Sequence, residues 1–277
     1  MRLLCLLVLT SLAAPLSVAA PMIDAHSHST AEDAASFPPA EIVARLDAAG
    51  VARVVISGTP WQLARELHAQ APGRVIPLLG VYASHAGKAL WMHDRDLPGR
   101  LAERAAEGRW AGIGELHLFA RDADSQVFAE VVRIAAANDL MLLIHGDPAV
   151  VERAFAIAPD VRVLWAHLGT VPAPGIVARV LERNARHALW VDTSVRDERI
   201  APGGRLLPEW LALFEANPRR FVVAVDAFST GRWQRYGEVV ADIRGWVSDL
   251  PPELQERLLR RNAEELFAPW LAREEGR

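Results

Sequence analysis

The chain has 277 residues, of which 51% are hydrophobic and 23% are charged, and this composition excludes a disordered or low-complexity protein. Acidic residues outnumber basic ones by 34 to 30, so the formal net charge is -4 at pH 7. An acidic chain without a basic tract is not typical of proteins that bind nucleic acid through charge. We therefore expect a globular protein with no nucleic-acid partner.

The N-terminal segment 1–19 is typical of a secretory signal peptide. Arg2 precedes an apolar run that gives way to small residues, with Ser17 and Ala19 in the positions that favour cleavage after residue 19. The alternative is an uncleaved anchor helix, which Pro15 disfavours because it interrupts an apolar run of barely sufficient length. We expect a periplasmic or secreted protein with no stable membrane insertion after cleavage.

Removal of this segment leaves a domain of residues 20–277 that contains no cysteine. Cys5 is the only cysteine of the chain and lies inside the predicted signal peptide. The mature protein is therefore expected to have no disulfide bond, although its destination is oxidising.

The domain alternates short apolar runs with amphipathic stretches, which is the pattern of parallel strands joined by helices. Most runs are continuously hydrophobic, as is typical of strands covered on both faces. The predicted strands are 22–28, 52–58, 75–82, 111–118, 140–146, 161–168, 188–194 and 221–228. The predicted helices are 39–49, 60–70, 97–107, 124–138, 148–157, 175–186, 207–216 and 233–249, with a last helix from about 252 to 272 and a possible break at Pro269. Eight such units predict a single-domain α/β fold, a (β/α)8 barrel of the TIM type; an open doubly wound sheet is the alternative.

Five of the predicted strands end in residues that can bind a metal ion. In the first of them, His26 and His28 lie on the same face, because strand side chains alternate. The full set is His26 and His28 on strand one, Glu115 on strand four, His145 on strand five, His167 on strand six and Asp226 on strand eight. Burying such groups at a barrel mouth is costly unless they are paired or bind metal. The set therefore predicts a metal centre.

At these positions the sequence resembles the amidohydrolase superfamily of metal-dependent barrel enzymes. Within it, DAHSHS, WAHLG and RRNAEELF resemble the amidohydrolase-related family, and the glutamate of GELH resembles the strand-four glutamate of TatD-type deoxyribonucleases. The resemblance covers nearly all of the mature chain. It implies that one divalent metal, expected to be Zn²⁺, is held by His26, His28 and Asp226, and a second by His145 and His167, with Glu115 between the two.

Two features leave the ligand set open. Lys88 is the only lysine and follows strand three, so a carboxylated lysine on strand four is not expected and Glu115 is its natural substitute. His117, two residues beyond Glu115 and on the same face, departs from the TatD pattern and is interpreted as a ligand or a substrate contact. A site with one metal, as in decarboxylase relatives, is the alternative; it would use His26, His28, His145 and Asp226, with His167 as a hydrogen-bond donor beyond the ligands.

Other residues at the same barrel end are candidates for substrate binding and for orienting the ligands. Tyr82, His85, His117 and Arg196 are predicted to contact the substrate, because they end or follow strands three, four and seven. Asp24, deeper on the face of His26, is expected to fix the tautomer of a histidine ligand.

The predicted ligand set favours hydrolysis. A divalent ion held by imidazoles and carboxylates lowers the pKa of its water towards ~7 and polarises a substrate oxygen. We therefore predict a metal-dependent hydrolase of a small carbonyl substrate (an amide, ester or lactone), with Asp226 as the catalytic general base and then general acid. The alternatives are a metal-dependent decarboxylase or other lyase of the amidohydrolase-related family, a TatD-type nuclease, which the acidic charge disfavours, and a non-catalytic metal-binding protein.

Overall fold

The structure is a computed structural model that describes residues 21–276, so the predicted signal peptide, 1–19, lies outside the described residues. Eight parallel strands form one sheet in the order β1 to β8. Backbone hydrogen bonds also join β1 to the segment that follows β8: Ala25 N donates to Val223 O at 3.2 Å, and Asp226 N donates to His26 O at 2.7 Å. The sheet thus curls into a barrel, which confirms the predicted (β/α)8 fold.

Strands and helices alternate along the chain. The strands are β1 Met22–Thr30, β2 Val51–Thr59, β3 Val75–Leu79, β4 Gly112–Leu118, β5 Met141–Gly146, β6 Val163–Trp165, β7 Leu189–Asp192 and β8 Phe221–Val222. The helices are α1 Ala31–Ser36, α2 Pro39–Ala48, α3 Gln62–Gln70, α4 Leu97–Ala105, α5 Gln126–Ala137, α6 Pro148–Ile157, α7 Pro174–Arg183, α8 Asp197–Ile200, α9 Pro208–Ala216, α10 Thr230–Gln234, α11 Tyr236–Val247, α12 Pro252–Glu256 and α13 Asn262–Glu275.

Strands β3, β6, β7 and β8 are shorter than predicted, and in β6 the reason is a turn at the barrel mouth. The run predicted as a strand to residue 168 leaves extended geometry after Trp165, because His167 and Leu168 have φ angles of 62° and 56°. Gly169 continues the turn with a φ of 80°, and a Cβ atom at this glycine would lie 2.2 Å from the ring of Trp165. The apolar run therefore ends in a loop that carries a polar side chain.

The last helical region also differs from the prediction. Pro269 lies inside α13 and does not break it. The irregularity lies instead at Arg257–Arg261, a π-helical turn between α12 and α13. The predicted helix 233–249 is divided into α10 and α11, and α1 and α8 are additional short helices.

Two apolar layers stabilise the barrel, one between the sheet and the surrounding helices and one inside it. The inner layer includes Ile23, Ile76 and Leu164, against which Phe267 and Trp270 of α13 pack. Because Ile23 and Ile76 lie near the beginnings of their strands, α13 covers the amino end of the barrel. The polar residues predicted as metal ligands lie at the opposite, carboxyl end of the barrel. Among the described residues, no helix has both the length and the apolarity needed to cross a membrane.

Candidate metal centre

The histidine pair of β1 forms one wall of the site. His26 is fully buried and His28 is 6% exposed, and their Nε2 atoms lie 3.1 Å apart. The backbone of His28 is fixed by residues that follow β8: His28 N donates to Ala227 O at 3.2 Å, and Trp233 Nε1 donates to His28 O at 3.1 Å. Two imidazole nitrogens are thereby fixed side by side on a rigid edge.

Glu115 of β4 lies at the centre of the site. Imidazole nitrogens surround its carboxylate: His117 Nε2 lies 2.6 Å from Oε2, His145 Nδ1 3.0 Å from Oε1, His167 Nε2 3.2 Å from Oε1 and His28 Nε2 3.5 Å from Oε2. Ser57 of β2 holds this part of β4, because its hydroxyl accepts a hydrogen bond from Glu115 N at 3.0 Å and donates one to Gly114 O. The sequence analysis does not predict that Ser57 fixes the backbone around Glu115, because the only signal for this role is a hydroxyl in an apolar run.

Asp226 reaches the same point from the segment after β8. Its backbone has a φ of 54°, which turns the carboxylate towards the histidines. Oδ1 lies 3.1 Å from His28 Nε2 and 3.7 Å from His26 Nε2, and Oδ2 lies 3.9 Å from His167 Nε2. Within the described part of the chain, Oδ1 is buried and has no hydrogen bond of acceptable geometry. Because a buried carboxylate oxygen without a hydrogen bond is costly, this atom is suited to binding a cation.

Asp192 of β7 sets the tautomers of two of these histidines. Its Oδ2 atom lies 3.0 Å from His26 Nδ1, and its Oδ1 atom accepts hydrogen bonds from His167 N at 2.9 Å and from the Ser194 hydroxyl at 2.5 Å. Ser194 Oγ in turn lies 2.8 Å from His167 Nδ1. A carboxylate can only accept, so the Nδ1 atom of His26 carries a proton. The Ser194 hydroxyl donates its own proton to Asp192, so it accepts from His167 Nδ1, which is therefore protonated too. When either ring is neutral, as a metal ligand must be, the lone pair of its Nε2 atom therefore faces the site.

The role expected of Asp24 is thus filled by Asp192. The Asp24 carboxylate contacts His26 only through the backbone N of that residue, at 3.2 Å. It also accepts hydrogen bonds from the Ser27 hydroxyl at 2.7 Å, Val225 N at 2.9 Å and Tyr236 OH at 3.0 Å. Burial raises the pKa of Asp24 to about 6, against the lowering effect of these hydrogen bonds. Asp24 therefore holds the segment that carries Asp226 and does not orient an imidazole.

The charges of the site favour a bound cation. Burial by itself would raise the pKa values of Glu115 and Asp226, but the positive charge on His26 and hydrogen bonds from neighbouring imidazoles outweigh burial and hold both below their usual range. Burial lowers the pKa of His26, yet the carboxylates of Asp226, Glu115 and Asp192 outweigh it and raise that pKa to about 10. Burial lowers the pKa of His117 to about 4, so its ring is neutral. Three ionised carboxylates thus attract positive charge to one buried place.

The donor set is suitable for a divalent metal. Ligand atoms lie within 4.8 Å of one another in three groups: His26, His167 and Asp226; His26, His28 and Glu115; and Glu115, His117 and His145. Two donors that each lie about 2.1 Å from a tetrahedral ion are about 3.4 Å apart. Many of the separations in the site are close to this value, including 3.6 Å from His26 Nε2 to Glu115 Oε1. The Nε2 lone pairs of His26 and His167 and the unpartnered oxygen of Asp226 are consistent with such a group.

All six residues predicted as metal ligands meet at this point. We call them the histidine–carboxylate cluster: His26, His28, Glu115, His145, His167 and Asp226. Their roles as metal ligands remain predictions. His117, predicted as a substrate contact, lies against the cluster and stacks on His145 with 4.1 Å between ring centroids.

The other predicted substrate contacts surround the mouth. Tyr82 stands edge-on to His117 at 6.4 Å, and burial raises its pKa. His85 is exposed and lines two cavities, of about 300 and 470 Å³, the first bordered also by His117 and the second by His28 and Tyr82. Arg196 Nε donates to His167 O at 3.0 Å. A larger cavity of about 900 Å³, near Phe155 on α6, is lined by none of the cluster residues.

Known structures share this fold at low sequence identity. A probable 2-pyrone-4,6-dicarboxylic acid hydrolase from Acinetobacter baumannii, with citric acid bound, is 16% identical, with a TM-score of 0.60 over 90% of this chain and 99% of that one. A TatD homologue from Escherichia coli K12 is 14% identical, with a TM-score of 0.56 over 91% and 95%. An enamidase described as a member of the amidohydrolase superfamily is 15% identical, with a TM-score of 0.55 over 89% and 67%. No curated protein matches the sequence significantly.

A family model gives the assignment. The model described as Amidohydrolase matches residues 23–268, a range that begins in β1, ends in α13 and includes every residue of the histidine–carboxylate cluster. The superfamily uses divalent metals, and the donor set found here is suitable for one. The protein is thus a metal-dependent hydrolase in general terms, and the chain belongs to the amidohydrolase family.

Proposed function

We propose that the protein hydrolyses a small carbonyl substrate, an amide, ester or lactone, with Zn²⁺ as its metal. The observation that carries this proposal is the position of Asp226. Its carboxylate is buried and ionised, has an unpartnered oxygen, and lies 3.1 Å from an imidazole of the cluster. A carboxylate in this place can accept a proton from water and return it to a leaving group.

In this proposal the cluster has two tasks: it holds the metal, and Asp226 transfers a proton. A divalent ion in this donor set supplies an acidic water and polarises the substrate oxygen. Asp226 takes a proton from the attacking water and then protonates the leaving nitrogen or oxygen. The Nδ1–H groups of His26 and His167 stay directed at Asp192 and Ser194, so the Nε2 atoms of the two rings are the ones that would hold the metal.

The cavity at the mouth supports a small substrate. Its volume is about 470 Å³, and His28 and Tyr82 line it together with Phe228, which is 53% exposed. Such dimensions are typical of small-molecule sites and too confined for a folded macromolecule. His28 and Tyr82 offer polar contacts to a substrate in this cavity, and Phe228 offers an apolar one.

One observation favours the decarboxylase as the second candidate. Arg196 is anchored through Nε to His167 O at 3.0 Å, and its guanidinium lies within electrostatic range of Asp226. Among residues 21–276, its Nε is the only atom of the guanidinium for which the structure gives a hydrogen-bond partner. A guanidinium held in this way can bind a substrate carboxylate, which a decarboxylase requires and a hydrolase of a carboxylated lactone would also use.

The proposal is tested by assaying the metal-reconstituted protein against a panel of amides, esters and lactones, each with and without a free carboxylate. We expect turnover of at least one of these compounds, abolished by a chelator and restored by Zn²⁺. Product analysis by mass spectrometry distinguishes addition of water from loss of CO₂. Release of CO₂ from an acid without hydrolysis of any panel member would replace the hydrolase by the decarboxylase.

We further propose that the protein is exported, on the basis of the apolar segment 1–19. The expected N-terminus of the mature protein is Ala20, and because cleavage removes Cys5, its mass should not change on reduction. Intact-mass measurement of protein from the periplasm or the medium checks both points. A soluble cytoplasmic product that retains Met1 would refute the proposal.

A further inference from the structure

We propose that the substrate carries a carboxylate and that the ammonium group of Lys88 binds it at the mouth of the barrel. The substrate class is thereby narrowed to a small amide, ester or lactone that has an anionic group beside an apolar body. The reacting bond is the one named in the proposed function, on which this assignment rests. The binding of a carboxylate by Lys88, however, is measured without any reaction.

Lys88 borders both cavities at the barrel mouth. It belongs to the short 3-10 turn His85–Ala89, in the loop that joins β3 to α4. Loops that follow the strands of such a barrel lie at its carboxyl end. Lys88 lines the cavity of about 300 Å³ together with His117, and the cavity of about 470 Å³ together with His28. A molecule that fills either cavity next to the histidine–carboxylate cluster therefore lies beside Lys88.

The ammonium of Lys88 has no ionic partner within residues 21–276. The structure gives it neither an ion pair nor a hydrogen bond there, although the side chain is half-buried. Arg121, the other long cation of the 300 Å³ cavity, lies 3.1 Å from the carboxylate of Asp122. Asp122 is the only acid among the described residues that line this cavity. The lining thus has one positive charge that is not neutralised, and a half-buried charge of this kind is stabilised by a bound anion.

The charge of Lys88 acts at the edge of the cluster. Burial is the main cause of the low pKa of His117, about 4, and the positive charge of Lys88 contributes to it. His117 Nε2 in turn lies 2.6 Å from Glu115 Oε2. The ammonium is therefore close enough to hold one end of a small molecule whose other end is at the cluster.

The rest of the 300 Å³ cavity is suited to the apolar body of such a molecule. Its lining includes Ala89, Met92 and Phe119. The volume, about 300 Å³, is at the lower limit of small-molecule sites, so the cavity accepts a ring or a short chain. An apolar wall with one free ammonium at its edge favours an aromatic or alicyclic carboxylate.

A single unpaired ammonium favours a carboxylate over a phosphate. An ammonium is a compact point charge, which binds an anionic oxygen without the planar geometry that a guanidinium requires. A phosphate monoester has a charge of about −1.5 to −2 at pH 7 and is best bound by several donors, whereas Arg121 is already paired with Asp122. Arg196 follows β7, on the far side of the barrel from β3, and is not placed to share an anion with Lys88.

The first measurement uses the fact that Lys88 is the only lysine. Acetic anhydride acetylates no other amine of the chain except the α-amino group, and peptide mass spectrometry gives the two rates separately. We expect 4-fluorobenzoate to slow the acetylation of Lys88 but not that of the α-amino group. The uncharged 4-fluorobenzamide should slow neither. Equal rates for Lys88 with and without 4-fluorobenzoate would overturn the assignment, as would protection by inorganic phosphate but not by 4-fluorobenzoate.

The second measurement is the affinity for 4-fluorobenzoate, obtained by ¹⁹F NMR titration of the metal-loaded protein. Lys88→Met keeps the apolar stem and removes the charge, so affinity should fall by about 10-fold, the lower end for a hydrogen bond to a charged group at a partly exposed site. Lys88→Arg keeps the charge and should bind within a few-fold of wild type. Affinity for 4-fluorobenzamide should be the same in all three proteins.

Arg121→Met is the matched control. Arg121 is a cation on the same cavity, but its side chain is 79% exposed and paired with Asp122. Its substitution should leave the affinity for 4-fluorobenzoate unchanged. Circular dichroism verifies that each variant is folded.

Three results of the titration contradict the assignment. The first is wild-type affinity for 4-fluorobenzoate in Lys88→Met, as expected if the carboxylate binds only the metal. The second is a loss of affinity in Arg196→Met but not in Lys88→Met, which moves the anion site to the segment after β7. The third is an equal loss for 4-fluorobenzoate and 4-fluorobenzamide in Lys88→Met, which indicates a structural role for the side chain.

The kinetic consequence is a change in KM that depends on the charge of the substrate. For a panel compound that is hydrolysed, Lys88→Met should raise KM about 10-fold when the compound carries a carboxylate and leave KM unchanged for its uncharged counterpart. Neither kcat should change, because the contact is present in both the ground state and the transition state.

The outcomes for Lys88 and for the proposed function are separate. Inactivity on every panel compound would contradict the proposed function, whereas the acetylation and titration results would still decide the role of Lys88. Faster hydrolysis of uncharged compounds than of their carboxylated counterparts would overturn the substrate class assigned here and leave the hydrolase standing.

Discussion

Replacing Asp226 with asparagine is expected to lower kcat by about 10² to 10⁴, the usual contribution of a general acid–base group, while at least one metal ion remains bound. The amide oxygen of asparagine can still reach the position of Oδ1, 3.1 Å from His28 Nε2, but an amide cannot take a proton from water. The loss should appear in kcat and not in KM, because the proton moves only in the transition state. Steady-state kinetics on a substrate found in the panel, together with elemental analysis, provides the measurement.

Asp147→Asn is the matched control for this experiment. Asp147 follows β5 at the same end of the barrel, but its oxygens accept hydrogen bonds from Ala120 N at 2.8 Å and from the Thr170 hydroxyl at 2.7 Å. Its substitution should leave kcat within a few-fold of wild type. If the metal-loaded Asp226→Asn protein turned over its substrate at nearly the wild-type rate, the proton-transfer role of Asp226 would be wrong.

The barrel and the approximate place of the site follow from the sequence because both depend on strand periodicity. Continuous apolar runs indicate strands covered on both faces, and a polar residue that ends such a run must lie at the barrel mouth. This reasoning located His145 and Glu115, which lie within β5 and β4. Alternation along β1 also predicts that His26 and His28 lie together, and their Nε2 atoms are 3.1 Å apart.

Strand periodicity does not predict the side-chain directions of His167 and Asp226. Both residues have positive φ angles, of 62° and 54°, so strand alternation no longer fixes where their side chains point. Their conformations depend on partners far along the chain: His167 N donates to Asp192 Oδ1 at 2.9 Å, and Asp226 N donates to His26 O at 2.7 Å. No local pattern in the sequence encodes such bonds. Strained backbone of this kind is typical of functional sites.

The carboxylate that hydrogen-bonds to the ring of His26 is also not predicted by local sequence patterns. Asp24 is two residues away and on the same strand face, so local reasoning selects it as the carboxylate that orients the ring. The structure gives that place to Asp192, 166 positions along the chain, whose Oδ2 atom lies 3.0 Å from His26 Nδ1. Only the barrel, which brings the end of β7 within hydrogen-bond distance of the His26 ring, makes this contact. The tautomers of the histidines in the cluster are therefore a tertiary property.

Because the tautomer of His26 depends on Asp192, a second large effect on metal binding and activity is expected for Asp192→Asn. Oδ1 of Asp192 accepts from two backbone N–H groups, those of His167 and Ser194, at 2.9 and 3.0 Å. The asparagine must keep its carbonyl oxygen there, so its NH₂ group takes the place of Oδ2 and faces His26 Nδ1. An NH₂ group cannot accept the Nδ1 proton, so His26 must move that proton to Nε2. The lone pair that faces the cluster is then lost.

We expect Asp192→Asn to lower metal affinity by about 100-fold, the upper end for an outer partner of a ligand, and kcat by about 10³ to 10⁴ because the tautomer is wrong. Chelator competition measures the first effect, and ¹⁵N NMR of the imidazoles shows the shift of the His26 proton from Nδ1 to Nε2. Asp33→Asn is the control: Asp33 is equally buried, but it binds Thr30 and Thr230 and touches no imidazole, so its loss should affect stability and not metal affinity. Wild-type metal affinity in Asp192→Asn, with the His26 proton still on Nδ1, would show that Asp192 does not set the tautomer on which metal binding depends.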